Sequence, residues 1–338
     1  MKKRVLVLVH IDLIPPSVID TKVDNSYEPW ITEFDVISTL KESGHDVSVL
    51  GVYDELAVIR KRVEEFKPHI IFNLLEEFDG NVLMDQHIVS FLELLKIKYT
   101  GCSPRGLMLS RDKSLTKKIL SYHRIATPKF QVIKSQIGKK LKSVRIKKGL
   151  KYPLIVKCLN EDASLGLSNS SIVKSEEKAI ERVRYLFDKY KTDVIVEEFI
   201  AGKEIYVGVI GNKRLEVLPI LELHFDNAQK PELEIYSERA KWSKKHRDNK
   251  GVRVATTEIN SSIQEKIIRM CKKSYQVLNL DGVARIDFRI SEEGVPYIIE
   301  VNANPNLALE DEFAISWMRT GKSYPALIDK LVSLGLRR

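Results

Sequence analysis

Residues 282–306 read GVARIDFRISEEGVPYIIEVNANPN, and the reading of the whole chain turns on them. Alternation with period two places Arg285, Asp287 and Arg289 on one face of an extended segment, while Val283, Ile286 and Phe288 break toward apolar neighbours. Residues 291–294 let the chain return antiparallel. Pairing residue 290 with 295 would set 287 opposite 298 and 285 opposite 300, bringing Glu300 and Asn302 to the face of Arg285 and Asp287. Two carboxylates and an amide oxygen then converge beside an arginine. Hard oxygen donors without histidine or thiolate suit Mg²⁺, which takes one or two carboxylates and fills its other positions from phosphate and water. The plainer reading is a solvated face with a cross-strand salt bridge. It fits less well, because both strands are otherwise apolar and leave through Asn-Pro-Asn.

Upstream, residues 4–9 form an aliphatic run, a helical pattern passes through Phe34, Ile37 and Leu40, and Gly44 precedes a strand at 47–50. That is a strand, crossover helix, strand unit. A helix near 55–66, a strand at 70–74, a helix at 85–95 and a short strand at 99–100 extend it into a parallel sheet covered on both faces. A lysine-bearing helix then leads to strands at 130–133 and 154–157, a Ser/Asn/Gly-rich loop at 160–171, extended residues 172–173 and a surface helix at 175–190. Strands are expected at 194–198, 204–210, 215–221, 282–290 and 297–301, with one long helix at 263–278. No internal repeat interrupts this order.

At 338 residues, with 43% hydrophobic and 30% charged side chains, the chain can bury two or three modest cores and is too ordinary in composition to be disordered. The opening MKKRVLVLVH has signal-peptide character, but its apolar run is short and no small-residue cleavage site follows, so it reads as a buried strand. No apolar run approaches the roughly 18 residues of a membrane span, and a cytoplasmic location is expected. Cys102, Cys158 and Cys271 are widely spaced and lack CxxC or Cys/His clusters, which speaks against disulfides and zinc. A formal charge of +9 raises nucleic acid as a partner. Much of that charge sits at 139–151 and 241–250, both loop-like by charge density and without interleaved aromatics, so no specific nucleic-acid or membrane partner is expected.

ARIDF followed by IIEVNANP resembles the metal-binding segment of ATP-grasp enzymes, and the order of elements is similar to that of D-alanine:D-alanine ligase-like carboxylate–amine ligases over nearly the whole chain. The resemblance implies an α/β protein, α+β in its C-terminal part, with an ATP-grasp fold behind a Rossmann-like N-terminal domain. Its divisions would be 1–105, a smaller central lobe at 106–192, and a C-terminal lobe at 193–338 that carries the metal site. It further implies that Asp287, Glu300 and Asn302 hold two Mg²⁺ ions, replaceable by Mn²⁺, and that Arg285 stabilises a tetrahedral intermediate. YPLIVKCLNEDASLGLSNSSIV (152–173) resembles the family's phosphate loop, with Lys157 and Ser164 at matching positions. Independently of kinship, a lysine at a strand end supplies a point charge, and small residues let backbone N–H groups approach phosphate. VIVEEFIAGKEIYV (194–207) resembles the adenine-binding connector. There Glu197 would accept from the adenine amino group, Phe199 and Ile200 would offer backbone groups and apolar contact, and Glu204 would hold the ribose hydroxyls. Lys113, in SRDKSLTKKIL, matches a lysine that contacts the nucleotide phosphates. Lys241, in IYSERAKW, matches a lid lysine that reaches the γ-phosphate, and the polar run after it could close over a nucleotide.

These motifs name the nucleotide, not the acid or the amine. Relative to the D-alanine pattern, the histidine-glycine segment becomes Asn73, Leu74, Leu75, Glu76 and Glu77, and Trp242 replaces a tyrosine. Glu28 and Glu33 are the nearest candidates for the glutamate that holds the first substrate's amine. The oxyanion-site glycine becomes Asn306, and the serine that binds the second substrate's carboxylate falls at Asp311. An aspartate there repels a carboxylate. The acceptor is therefore expected to lack the α-carboxylate of D-alanine, or to carry positive charge met by Glu310, Asp311 and Glu312; the plainer reading is acids at the start of a helix near 311. The resemblance thus implies an ADP-forming ligase that joins a small-molecule carboxylate and amine through an acyl phosphate, and it is compatible with a homodimer. The alternative is a nucleotide-binding phosphoryl transferase or sensor that makes no amide, for which Arg285 has no task.

Overall fold

The computed structural model describes residues 2–19, 24–135, 144–160 and 165–338. The chain opens with β1 (Arg4–His10), α1 (Ile31–Glu42), β2 (Asp46–Val52), α2 (Ala57–Phe66), β3 (Ile70–Asn73) and α3 (Asp85–Leu94). The strands pair in parallel in the order β2-β1-β3. A parallel strand buried on both faces has no polar side to show, and β1 obeys this. Val5, Val7 and Val9 pack with Val36, Ile37 and Leu40 of α1, while Leu6 and Leu8 enter the core on the other face. Each such side chain contributes roughly 1.5–3 kcal/mol on burial. The expected strand at 99–100 is reduced to one bridge between Tyr99 and Ile71, because Gly101, at φ +90°, turns the chain away.

α4 (Pro104–Arg111) and α5 (Lys113–Tyr122) lead into β4 (Phe130–Ile133), β5 (Leu154–Cys158), β6 (Ile172–Val173), α6 (Glu176–Tyr190) and β7 (Val194–Glu198), whose strands form an antiparallel sheet in the order β4-β7-β5-β6. Ser175 caps α6 by accepting from the backbone of Lys178. The helix buries Ala179, Val183 and Leu186 against Leu154, Val156, Val194 and Val196. Period-two alternation then leaves Lys157 and Glu197 on the opposite face.

The largest sheet is built from β8 (Gly202–Ile210), β9 (Glu216–Val217), β10 (Leu221–Phe225), β11 (Val252–Thr256), β12 (Val283–Ser291) and β13 (Pro296–Asn302). Its order is β11-β10-β8-β12-β13, with β9 on β8. Beside it lie α7 (Glu238–Trp242), α8 (Lys244–Lys250), α9 (Ser261–Val277) and α10 (Glu312–Met318), while α11 (Tyr324–Leu336) packs back against α1 and β3 of the N-terminal sheet. Two expectations are corrected here. The strand expected at 215–221 is broken after Val217: Pro219 has no N–H for a ladder, and its carbonyl accepts from the Ser316 hydroxyl at 2.6 Å. The basic run 241–250 is helical rather than a loop, because Ser237 and Ser243 cap α7 and α8 by accepting from Ala240 and His246 N–H. Residues 139–143 of the other basic run lie outside the described residues.

The deciding hairpin forms with a corrected register. Ile290 faces Pro296, Phe288 faces Ile298, and after a bulge Asp287 faces Glu300 and Arg285 faces Asn302. A one-residue slip by itself would have turned Glu300 and Asn302 into the core. Ile299, the extra residue of the bulge, supplies a second step and returns both to the face of Asp287. Ile298 and Val301 consequently both enter the core that includes Ile267 and Cys271 of α9.

Candidate active site

A cleft of about 990 Å³ lies between the polar face of β5 and β7 and the polar face of β12 and β13. On the β12 side, Asp287 is 3% exposed, and two nearly parallel hydrogen bonds of 2.9 and 3.1 Å join it to Arg285. The Asn302 amide nitrogen donates to Asp287 Oδ2 at 3.0 Å, which leaves the amide oxygen as the group that would meet a cation. Burial pushes the Asp287 carboxyl up to about 6; Arg285 opposes this, and Glu300 and Glu312 reinforce it. Glu300 behaves oppositely. Burial disfavours its charge, but Lys113 at 2.9 Å and Lys157 nearby overrule it and hold the carboxyl at about 2.

These residues fit magnesium in donor chemistry and in charge. Among the described residues no group of three or more His, Cys, Asp or Glu could hold a metal by itself. Two carboxylates and one amide would leave positions for phosphate oxygens, as a magnesium–nucleotide site requires. Arg285 also reaches Glu312 at 2.9 Å and Asp311 at 3.7 Å and stacks 5.0 Å from the Tyr206 ring centroid. A guanidinium so anchored is a preorganised donor.

On the opposite wall Glu197, 1% exposed, lies 3.1 Å from Lys157 and 3.5 Å from Lys117. Phe199, Ile200 and Glu204 border the same cleft. Glu204 accepts from Arg289 at 3.1 Å and from the Tyr206 hydroxyl at 3.0 Å. Lys241, on α7, borders the cleft and two adjoining cavities. The structure thus gathers Lys113, Lys157, Glu197, Phe199, Ile200, Glu204, Lys241, Arg285, Asp287, Glu300 and Asn302 at one cleft. Ser164 lies outside the described residues.

The three remaining candidates stand further out. Asn306 lies between the adjoining cavities, its Oδ1 accepting from Thr32 at 2.7 Å and from Ala308 N–H at 2.9 Å. Glu28 is exposed at the mouth of the outer cavity. Asp311 caps α10, and its carboxyl is raised well above the usual range by burial and by Glu312. Glu33, the other glutamate considered for an amine, is 4% exposed in the first turn of α1, and its Oε2 has no hydrogen-bond partner.

Burial, with Glu76 adding to it, pushes the Glu33 carboxyl from 4.5 up to about 7. A raised acid keeps its proton in the folded state, so its contribution favours folding fully below pH 4.5 and is lost as pH climbs toward 7. At roughly 1.4 kcal/mol per tenfold change in proton affinity, the loss comes to about 3 kcal/mol. Glu33→Gln is expected to remain more stable than the parent at pH near 8 and to lose that margin near pH 4. Urea unfolding at the two pH values measures it, and a margin that does not change with pH would contradict the assignment.

Three participants receive no role from sequence reasoning, although alternation already puts Arg289 on the face of Arg285 and Asp287. Tyr206 underlies Arg285. Arg289 ties the connector together through the carbonyls of Gly202, Glu232 and Glu234. Lys117 is buried at 2% exposure one turn beyond Lys113. Only the Lys113–Lys117 spacing could have pointed to it, because residues four apart share a helix face.

The family model described as D-ala D-ala ligase C-terminus matches residues 119–333. A D-alanine–D-alanine ligase of Desulforamulus reducens is 30% identical over 283 residues, covering 79% of this chain and 86% of its own. An uncharacterized protein of Sinorhizobium fredii is 26% identical and covers 90% of this chain and 87% of its own. In structure, the D-alanine–D-alanine ligase of Bacillus anthracis complexed with ATP superposes with a TM-score of 0.74 at 20% identity, covering 99% of this chain and 98% of the other. That likeness speaks to the fold.

Proposed function

Because the chain belongs to the D-ala D-ala ligase C-terminus family, we propose that it activates a small-molecule carboxylate with ATP and joins it to an amine that is not D-alanine. The observation that carries the reading is the meeting of Asp287, Glu300 and Asn302 with Arg285, Lys113 and Lys157 at one cleft.

A carboxylate is a poor electrophile, and its attack on the γ-phosphorus gives an acyl phosphate and ADP. Asp287, Glu300 and Asn302 would hold Mg²⁺, which supplies charge neutralisation on the phosphate oxygens. Lys157, Lys113 and Lys241 take up phosphate charge, and Glu197, Phe199, Ile200 and Glu204 hold the nucleoside. Arg285 then meets the oxygen that turns negative when the amine attacks the acyl carbon, a contribution typically worth about 3–4 kcal/mol per preorganised donor. Lobes at 106–192 and 193–338 would close on the nucleotide, and residues 1–105 would carry part of the substrate site.

Asp35, Glu310 and Asp311 border the outer cavity together, and a positively charged acceptor, unlike one with a carboxylate beside its amine, would offset the burial and the crowding of acids that raise the Asp311 carboxyl. ADP release measured against carboxylates and amines taken in pairs, with mass spectrometry of the product, tests both halves. Basic or decarboxylated amines should support release. Release with D-alanine alone at millimolar concentration would overturn the substrate assignment, and product-free turnover with every pair would overturn the ligase.

A further inference from the structure

We propose that Lys117 is a positioning residue that keeps the two walls of the nucleotide cleft in register, holding the bulge that sets Glu300 opposite Asp287 on one wall and the carboxylate of Glu197 on the other. The inference rests on the nucleotide reading given above. Lys117 and Lys113 project from the same face of α5, one turn apart. Lys113 runs to Glu300 at 2.9 Å. The Lys117 ammonium donates to the Ile299 carbonyl at 3.1 Å and to Thr127 Oγ1 at 3.1 Å, and it lies 3.5 Å from Glu197 Oε1.

Ile299 is the extra residue of the bulge and has no partner in the β12–β13 ladder. A part-buried carbonyl left out of a ladder calls for another donor, and Lys117 supplies it. Thr127 donates in turn to the Ile298 carbonyl at 2.9 Å, so consecutive carbonyls at the irregularity are both held. Without the bulge the register would turn Glu300 and Asn302 away from Asp287. On the other wall, Glu197 sits between two ammonium groups, of which Lys157 borders the cleft. When phosphate draws Lys157 away, Lys117 stays beside the buried carboxylate and keeps it ionised and fixed. Lys117 itself does not border the cleft, so it acts through Glu197 and Glu300.

The test follows binding of a fluorescent ATP analogue to the full chain while Mg²⁺ is varied, in the parent, Lys117→Gln, Lys117→Arg and Thr127→Val. Lys117→Gln should raise the half-saturating Mg²⁺ concentration about tenfold or more and weaken nucleotide binding, since removing groups that orient ligands typically costs 10–100-fold in metal affinity. Lys117→Arg should recover most of both, and Thr127→Val should raise the Mg²⁺ requirement more than it weakens nucleotide binding. A residue that serves only the fold would lower the melting temperature and leave both titrations of the folded protein unmoved, which overturns the inference. Should Lys117→Gln fail to fold, Thr127→Val decides: an unmoved Mg²⁺ requirement overturns it. A parent that binds no Mg–nucleotide overturns the proposed function and this inference together; a parent that binds, with variants that behave like it, overturns the inference alone.

Discussion

Asp287→Asn should lower nucleotide-dependent product formation by about three orders of magnitude, some 4 kcal/mol of transition-state stabilisation, while the fold persists. The side chain is 3% exposed and is the register partner of Glu300, so it is the acid that the proposed cation would share with Arg285. An asparagine fills the same volume and keeps one oxygen but brings no charge. The buried Arg285 retains Glu312 at 2.9 Å as a counter-ion, so the substitution does not strand a cation. Initial rates at saturating ATP and raised Mg²⁺ measure the effect. A variant within tenfold of the parent would remove Asp287 from the metal site.

Arg285→Ala should lower turnover about 10²–10³-fold, the usual consequence of deleting one oxyanion donor, with nucleotide affinity changed far less. Removing the guanidinium leaves Asp287 and Glu312 without their shared partner, and breaking a buried pair costs about 3–5 kcal/mol in stability. Arg285→Lys is therefore measured beside it, since it keeps the charge and loses the forked geometry. Both should bind ATP and fail at amide formation. Full amide formation in Arg285→Lys together with Arg285→Ala would place the oxyanion elsewhere, whereas ADP release that yields no amide in the parent and is unchanged in both variants would favour a nucleotide-binding protein that makes none.

The parts of the fold legible in the sequence are those where one periodicity acts alone. The buried strand at 4–10 shows its burial as an unbroken aliphatic run. The hairpin at 283–302 shows its two faces as alternation, and the polar face fell on the right residues although the predicted register was off by one. That error was harmless because the bulge at Ile299 shifted the ladder by a further residue. A bulge leaves little trace in composition, because the extra residue here is one more isoleucine in an apolar strand. The sequence misled where two signals competed. Charge density hid the serine caps of α7 and α8, and the same stretch hid β11, whose VRVAT alternation is plain once the helices are removed. Pro219 marked the break between β9 and β10, which an apolar run of 215–221 concealed.

Within the candidate site, residues inside contiguous motifs were readable, because a strand carries its neighbours to one face. Lys113, Lys157, Glu197 and the hairpin residues all border the cleft. Residues that matter through distant partners were not. Lys117 reads as one more helix-surface lysine until Ile299, 182 positions away, is seen to accept from it. The three acids that share Arg285, namely Asp287, Asp311 and Glu312, come from β12 and the start of α10, and no spacing rule joins them.

The claim beneath the rest is that Asp287, Glu300 and Asn302 gather magnesium around a nucleotide triphosphate. A crystal structure with Mg²⁺ and a non-hydrolysable ATP analogue tests it directly. The account predicts metal at about 2.1 Å from oxygens of all three residues, with Lys113 and Lys157 turned from Glu300 and Glu197 toward phosphate. Nucleotide bound elsewhere, or bound in the cleft while Arg285 and Lys113 still cover both carboxylates and no metal touches them, would contradict it.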